Sequence, residues 1–176
     1  MRKRITIIDD DGVIIKTNDY EYRIFDDKKG YLFKNKAYSF KSFKNEPKLS
    51  TLVSNYSHIG RLYVLAENTY ADTNMISYYH NKKYYPAKIS HISEMIGLSE
   101  KRCIRFIKDM IKLGVIAEAF IHTKYQVEIQ YYLNPLYFLS SKYLSPSLYM
   151  LFQKQINQVL PDWVIDRFMN FTDMIE

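Results

Sequence analysis

A single cysteine, Cys103, in a chain of 176 residues excludes an internal disulfide, so the fold has to be held by its own buried surface. Glycine is almost as scarce, with 5 residues and none grouped into a loop that could cradle a phosphate, which sets aside the nucleotide-binding folds. The 4 histidines are scattered, with no cysteine or histidine cluster at metal-ligand spacing and no paired carboxylates outside turns. No metal, cofactor or catalytic residue is expected, and the chain reads as a non-enzyme. Long apolar runs are missing too. None approaches the roughly 18 residues of a membrane span, and the start, MRKRITIIDDDG, lacks the apolar stretch and small-residue cleavage site of a secretory signal. A cytoplasmic location without membrane contact is the expectation.

What the chain has is aromatic surface and positive charge. Hydrophobic residues make up 47%, with 17 tyrosines and 10 phenylalanines, enough for one good core and a small appendage. The formal charge is +6 and unevenly spread. Residues 1–48 hold 12 basic against 8 acidic side chains and residues 49–80 hold 1 against 2. Residues 81–126 hold 9 against 4, and residues 127–176 hold 3 against 5. The excess therefore sits in the N-terminal segment and around residues 89–116, where it suits a phosphate backbone.

That second stretch, ISHISEMIGLSEKRCIRFIKDMIKLGVI, organises the chain. Ser90 reads as an N-cap, Ile92, Met95 and Ile96 follow at helical spacing, and Gly97 supplies the left-handed residue that ends a short helix. Ser99 reads as a second N-cap. It opens a helix with Cys103, Phe106, Ile107, Met110 and Ile111 on one face and Lys101, Arg102, Arg105, Lys108 and Lys112 mostly off it. Gly114 closes that helix, and Val115 and Ile116 begin a strand. Cys103, on the apolar face, is expected to be a buried thiol. A basic helix of this size fits the major groove of B-DNA, where arginine pairs with guanine edges and lysine neutralises phosphates.

On these residues the chain resembles the winged helix-turn-helix proteins, especially the MarR-like regulators, over roughly residues 50–135. The resemblance implies that the second helix reads the major groove and that the following hairpin, the wing, meets the minor groove or backbone. It also implies base-edge or phosphate contacts from Ser99, Lys101, Arg102 and Arg105. Cys103 stands where that family usually has valine or isoleucine. Lys88, Ser90 and His91 lie at the start of the first helix, where free amides and the helix dipole favour a phosphate. The wing reads as residues 116–121 and 127–133 around HTKYQ, with Val127, Ile129, Tyr131 and Leu133 facing the core. Its tip is short, with Lys124 as the one strong cation and Thr123 as a further phosphate donor. The wing ends in Tyr132-Leu133-Asn134-Pro135, which is similar to plasmid replication initiators of the RepL-like group and implies an origin as target instead of an operator.

Around this centre the rest falls into place. RITIIDDDGVIIK and YEYRIFDDKKGYLFKNKAYSF read as hairpins turning at Asp11-Gly12 and at residues 27–30, with a further strand near 37–43. Together they predict a small antiparallel sheet of four or five strands in residues 1–46. Ser50 is expected to cap a long support helix carrying Leu52, Tyr56, Ile59, Tyr63 and Ala66 on its stripe, with Leu62 and Leu65 widening it. Residues 72–86 read as a hairpin or loop around HNKK. Ser145-Pro146 opens a helix with Leu148, Phe152 and Ile156 inward, and a last helix carries Trp163, Val164 and Phe168. These two either close the core or form a homodimer interface.

The expected fold is α+β: a β appendage (1–46), a winged helix-turn-helix domain (49–138) and C-terminal helices (139–176). The expected function is sequence-specific binding of double-stranded DNA by a transcriptional regulator. Phosphates would be met by Lys88, Lys101, Lys108 and Lys124, and bases read by Arg102 and Arg105. A composition rich in lysine, isoleucine, asparagine and tyrosine suits an AT-rich genome and its phages or mobile elements. The alternatives are a replication initiator and a protein-interaction module whose basic face is incidental.

Overall fold

Two short N-terminal hairpins come first, then a helix, a sheet and a helix pair, and finally two closing helices. The computed structural model describes residues 2–8, 14–21, 25–26, 29–32, 48–70, 73–122, 126–139 and 143–172. In chain order these hold strands β1 (Arg2–Ile8), β2 (Ile14–Glu21), β3 (Phe25–Asp26) and β4 (Gly30–Leu32), then helices α1 (Leu49–Leu52) and α2 (Tyr56–Glu67). Strands β5 (Thr69–Tyr70), β6 (Met75–His80) and β7 (Lys83–Pro86) lead to helices α3 (Ile89–Met95) and α4 (Glu100–Lys112). Strands β8 (Ile116–His122), β9 (Val127–Leu133) and β10 (Tyr143–Leu144) precede helices α5 (Pro146–Ile156) and α6 (Asp162–Thr172). The fold is α+β, and among the described residues every strand pairing is antiparallel.

The expected single N-terminal sheet is two separate sheets among the described residues. β1 and β2 form a two-stranded ladder with Arg2 opposite Glu21. The β3–β4 hairpin, with Asp26 opposite Gly30, is instead extended by β10, which places Tyr143 opposite Leu32. Gly30 admits this partner. Its φ is +88°, and a Cβ there would lie 1.9 Å from the Leu144 carbonyl oxygen, so a side chain is excluded both by conformation and by space. Ring contacts continue the attachment, with Phe25 edge-on to Phe168 at 4.9 Å and Tyr31 to Trp163 at 6.1 Å. The Asp11-Gly12 turn, the strand expected near 37–43 and Pro47 lie outside the described residues.

The long support helix expected from Ser50 is broken. α1 is a single turn containing Ser50, Val53 is extended (φ −112°, ψ 97°), and Asn55 caps α2 by accepting from the Ser57 N–H at 2.9 Å. Starting at this second cap turns Leu62, Leu65 and Ala66 inward. Tyr56, expected on the apolar stripe, is 82% exposed, and Tyr63 lies edge-on to Phe138 at 5.6 Å.

β6 joins the sheet together: it pairs with β5, with β7 and, through Met75 opposite Tyr132, with β9, giving the order β5-β6-β9-β8. HNKK forms a hairpin turn with Asn81 and Lys82 at φ 48° and 61°, the two left-handed residues that match strand twist. Two buried asparagines pin the sheet to its surroundings. Asn74 donates from Nδ2 to the carbonyls of Leu133, at 3.1 Å, and of Phe138. Asn134 donates from Nδ2 to the Gly114 carbonyl at 2.7 Å and accepts at Oδ1 from the Leu136 N–H at 2.9 Å. The Asn-Pro turn thus has a structural task, satisfying buried backbone groups where strand and helix end meet.

α5 opens as expected, Ser145 accepting from the Leu148 N–H at 3.3 Å with Pro146 next. Tyr149 stacks on Phe168 of α6 at 4.2 Å, and a Cβ at Gly114 would meet Gln155, so α5 lies over the end of α4. Leu148, Phe152, Ile156, Val164 and Phe168 belong to the same buried cluster as Leu62, Ile92, Phe106 and Leu133. The apolar faces offered for a dimer are therefore used inside the single chain. Among the described residues, no helix is long and apolar enough to cross a membrane.

Candidate nucleic-acid interface

α3 and α4 are joined by a tight turn. Gly97 has φ 64°, and the Leu98 N–H donates to the Ser93 carbonyl at 2.9 Å, closing α3 where the sequence places its end. The start of α3 differs from expectation. Its N-cap is Lys88, while Ser90 sits in the first turn, exposed, its carbonyl accepting from the Ser93 hydroxyl at 2.8 Å. The shift is explained by His91, whose Nδ1 accepts from the Lys88 N–H at 3.2 Å and whose ring stacks on Tyr78 at 3.9 Å. Half-buried and engaged twice, His91 is part of the scaffold, whereas Lys88 is exposed.

Ser99 holds the predicted N-cap position of α4. Its carbonyl accepts from the Cys103 N–H at 2.8 Å, but its hydroxyl makes no cap hydrogen bond and faces solvent. Cys103, Phe106, Ile107 and Met110 form the buried face. The Cys103 thiol can donate to the Ile89 carbonyl at 3.9 Å, tying α4 to the start of α3. Burial, and then the nearby Glu100 carboxylate, push its pKa up, so it stays a neutral packing group.

The opposite face is cationic. Lys101, Arg105, Lys108 and Lys112 follow one another at helical spacing along a single exposed ridge, with Glu100 and Asp109 off it. No ion pair or hydrogen bond to a described residue engages these four side chains. Arg102 lies round the helix toward α2. With Arg105, His58, Arg61, Leu98, Phe106 and Asp109 it lines an open groove of about 270 Å³. His58 stands edge-on to Phe106 at 5.2 Å in that groove. Three guanidiniums against one carboxylate make it an anion-attracting edge. Arg61 escaped sequence reasoning because it is the lone basic residue of residues 49–80, and only the fold brings it to α4.

The β8–β9 hairpin is covered only at its base. Tyr131 and Leu133 are buried as expected, but Val127 and Ile129 are exposed, as is the cross-strand partner of Ile129, Phe120, at 56%. The expected core face therefore holds only for Tyr131 and Leu133, while Val127 and Ile129 lie where the hairpin extends beyond the core. The phenols of Tyr131 and Tyr132 have raised pKa values, through burial first and then Glu118 and Glu128 respectively. Thr123 and Lys124 lie outside the described residues. No group of three His, Cys, Asp or Glu able to hold a metal occurs among the described residues. No protein-family model, curated protein or solved structure matches the chain.

Proposed function

We propose that the chain is a winged helix-turn-helix protein that binds double-stranded DNA, with α4 in the major groove and the β8–β9 hairpin as the wing. The observation that carries this reading is the ridge of Lys101, Arg105, Lys108 and Lys112, exposed on a helix whose other face is anchored in the core. Its length, about 16 Å at 1.5 Å per residue, suits a groove about 12 Å wide crossed at an angle. Lys101, Lys108 and Lys112 neutralise phosphates, and Arg105 reaches a guanine edge. Arg102 joins Arg61 in clamping a phosphate at the α2 side, with Lys88 on the flank and Thr123 and Lys124 at the wing tip. A transcriptional regulator of a phage or mobile element is the first role; an enriched target lying in a replication origin would make it an initiator.

Selection from a random-sequence duplex library at two salt concentrations, with Arg105→Ala alongside, tests this. A defined sequence enriched by the wild-type protein and lost in the variant supports it. An inverted repeat would add a homodimer, whose contact would have to use exposed residues such as Met150 and Trp163. Weak binding without enrichment would refute sequence reading. One observation favours a second reading, a protein-docking module: the exposed outer hairpin of Phe120, Val127 and Ile129 is apolar, which suits a protein partner better than a phosphate.

A further inference from the structure

The β6–β7 hairpin carries an aromatic array that duplex binding by α4 leaves unused. Tyr79 and Tyr84 are directly opposite in register with ring centroids 5.0 Å apart, and Tyr70 of β5 joins Tyr84 at 5.3 Å. The rings are tilted by 56° and 48° to one another. All three are open to solvent, Tyr79 at 62% and Tyr84 at 53%. The other side of the hairpin is spoken for: Tyr78 stacks on Tyr85 at 5.7 Å and on His91 at 3.9 Å. One face is thus fixed to α3 while the other is presented outward. Lys82 and Lys83 stand exposed at the tip, and between residues 73 and 93 the chain has three lysines and no acidic residue.

Neighbouring exposed aromatic rings bordered by lysines match a ligand made of flat aromatic units joined by anions. We propose that the Tyr70, Tyr79 and Tyr84 face binds single-stranded nucleic acid, unpaired bases stacking on Tyr79 and Tyr84 while Lys82 and Lys83 meet the phosphates. This surface is separate from α4 and stands whether or not α4 reads a duplex. Cross-strand tyrosine pairs also stabilise a hairpin, and the substitutions below separate that role from ligand stacking.

The test is fluorescence anisotropy of the full chain with a labelled oligodeoxythymidine of about 12 nucleotides, a length in the range that single-strand-binding domains occupy, and with a random duplex. Tyr79→Ala/Tyr84→Ala should weaken single-strand binding about tenfold or more while leaving duplex binding unchanged. Tyr79→Phe/Tyr84→Phe should bind like the wild type, and Tyr79→Leu/Tyr84→Leu, which keeps apolar contact without the π face, should fail like the alanine pair. Absence of wild-type single-strand binding, wild-type behaviour of the leucine pair, or failure of the phenylalanine pair would each overturn the proposal. Lys101→Ala/Arg105→Ala is the reciprocal arm. Its loss of duplex binding alone shows two surfaces, equal loss of both ligands overturns this one, and absence of wild-type duplex binding sinks the α4 reading without touching this one.

Discussion

Lys108→Ala should change how DNA binding responds to salt, and Arg105→Ala should change how it responds to sequence. Both residues are exposed on the same ridge of α4, neighbours one turn apart, so the contrast isolates chemistry from position. If Lys101, Lys108 and Lys112 each displace one counterion, their share of the salt slope is about −2.7, and raising salt from 50 to 200 mM weakens binding about 40-fold through them. Without Lys108 the share falls to about −1.8 and the loss to about 12-fold. A phosphate carries no sequence, so the effect is the same on cognate and random duplexes. If Arg105 reads a guanine edge as proposed, Arg105→Ala instead should lose about 1–3 kcal/mol on the cognate site and relax specificity there. Anisotropy titrations at several salt concentrations, on both duplexes, measure all four quantities. Neither substitution should lower the melting temperature, since each removes like-charge neighbours three and four residues away on the ridge, a gain of at most about 1 kcal/mol. Indistinguishable behaviour of the two variants on both duplexes would refute the assignment of roles along α4.

The remaining predictions concern the scaffold. Asn134→Ala leaves the buried Gly114 carbonyl and Leu136 N–H without partners, and at about 1–3 kcal/mol for each the loss should be about 2–6 kcal/mol, read by urea unfolding; a change below about 1 kcal/mol would show that water takes over both bonds. Gly30→Ala sets a methyl against the Leu144 carbonyl at positive φ, so it should destabilise by more than about 1 kcal/mol and abolish hydrogen-exchange protection across the β4–β10 pairing, which unchanged protection would contradict. Because the Cys103 pKa is raised on folding, its contribution is intact below the unfolded thiol value and is lost as pH rises from there through the folded value. The urea midpoint should therefore fall in alkali, less so in Cys103→Ala, and the thiol should react with a disulfide reagent only on unfolding; rapid native-state labelling would contradict the burial.

The parts legible in the sequence are those whose signal is local. Gly97 and Gly114 punctuate the helix pair as read, because a left-handed residue is dictated within a few residues, whereas Ser99 holds the cap position without a side-chain cap bond. Where two local solutions compete, tertiary contacts decide. Ser50 and Asn55 are both good caps, and the helix starts at the one that turns Leu62 and Leu65 inward. Ser90 loses to Lys88 because His91 can accept the Lys88 N–H while stacking on a tyrosine from another strand. The β10 pairing had no signature at all, since two residues, Tyr143 and Leu144, find a strand more than a hundred positions earlier. Of the candidate interface, the ridge was legible from helical periodicity, whereas the groove was not, because Arg61 becomes part of it only when α2 packs beside α4.

The ridge is also the place where the chain works against its own stability. Lys101 and Arg105, Arg105 and Lys108, and Lys108 and Lys112 are like charges at spacings of three or four residues. Each such pair costs about 0.2–0.5 kcal/mol, offset in part by Asp109, which stands four residues from Arg105 and three from Lys112. Burial of Cys103, Phe106, Ile107 and Met110 outweighs this, at about 1.5–3 kcal/mol for each large apolar side chain. The two ends of the helix are fixed besides, by the Leu98 N–H to Ser93 bond at one and the Asn134 bond to Gly114 at the other. Acidic residues at two of the four positions would have made the helix more stable with no change to the core. On the duplex-binding reading proposed above, a polyanion would turn this repulsion into attraction. Duplex binding should accordingly raise the stability of α4 itself, which hydrogen exchange of its amides with and without DNA would register.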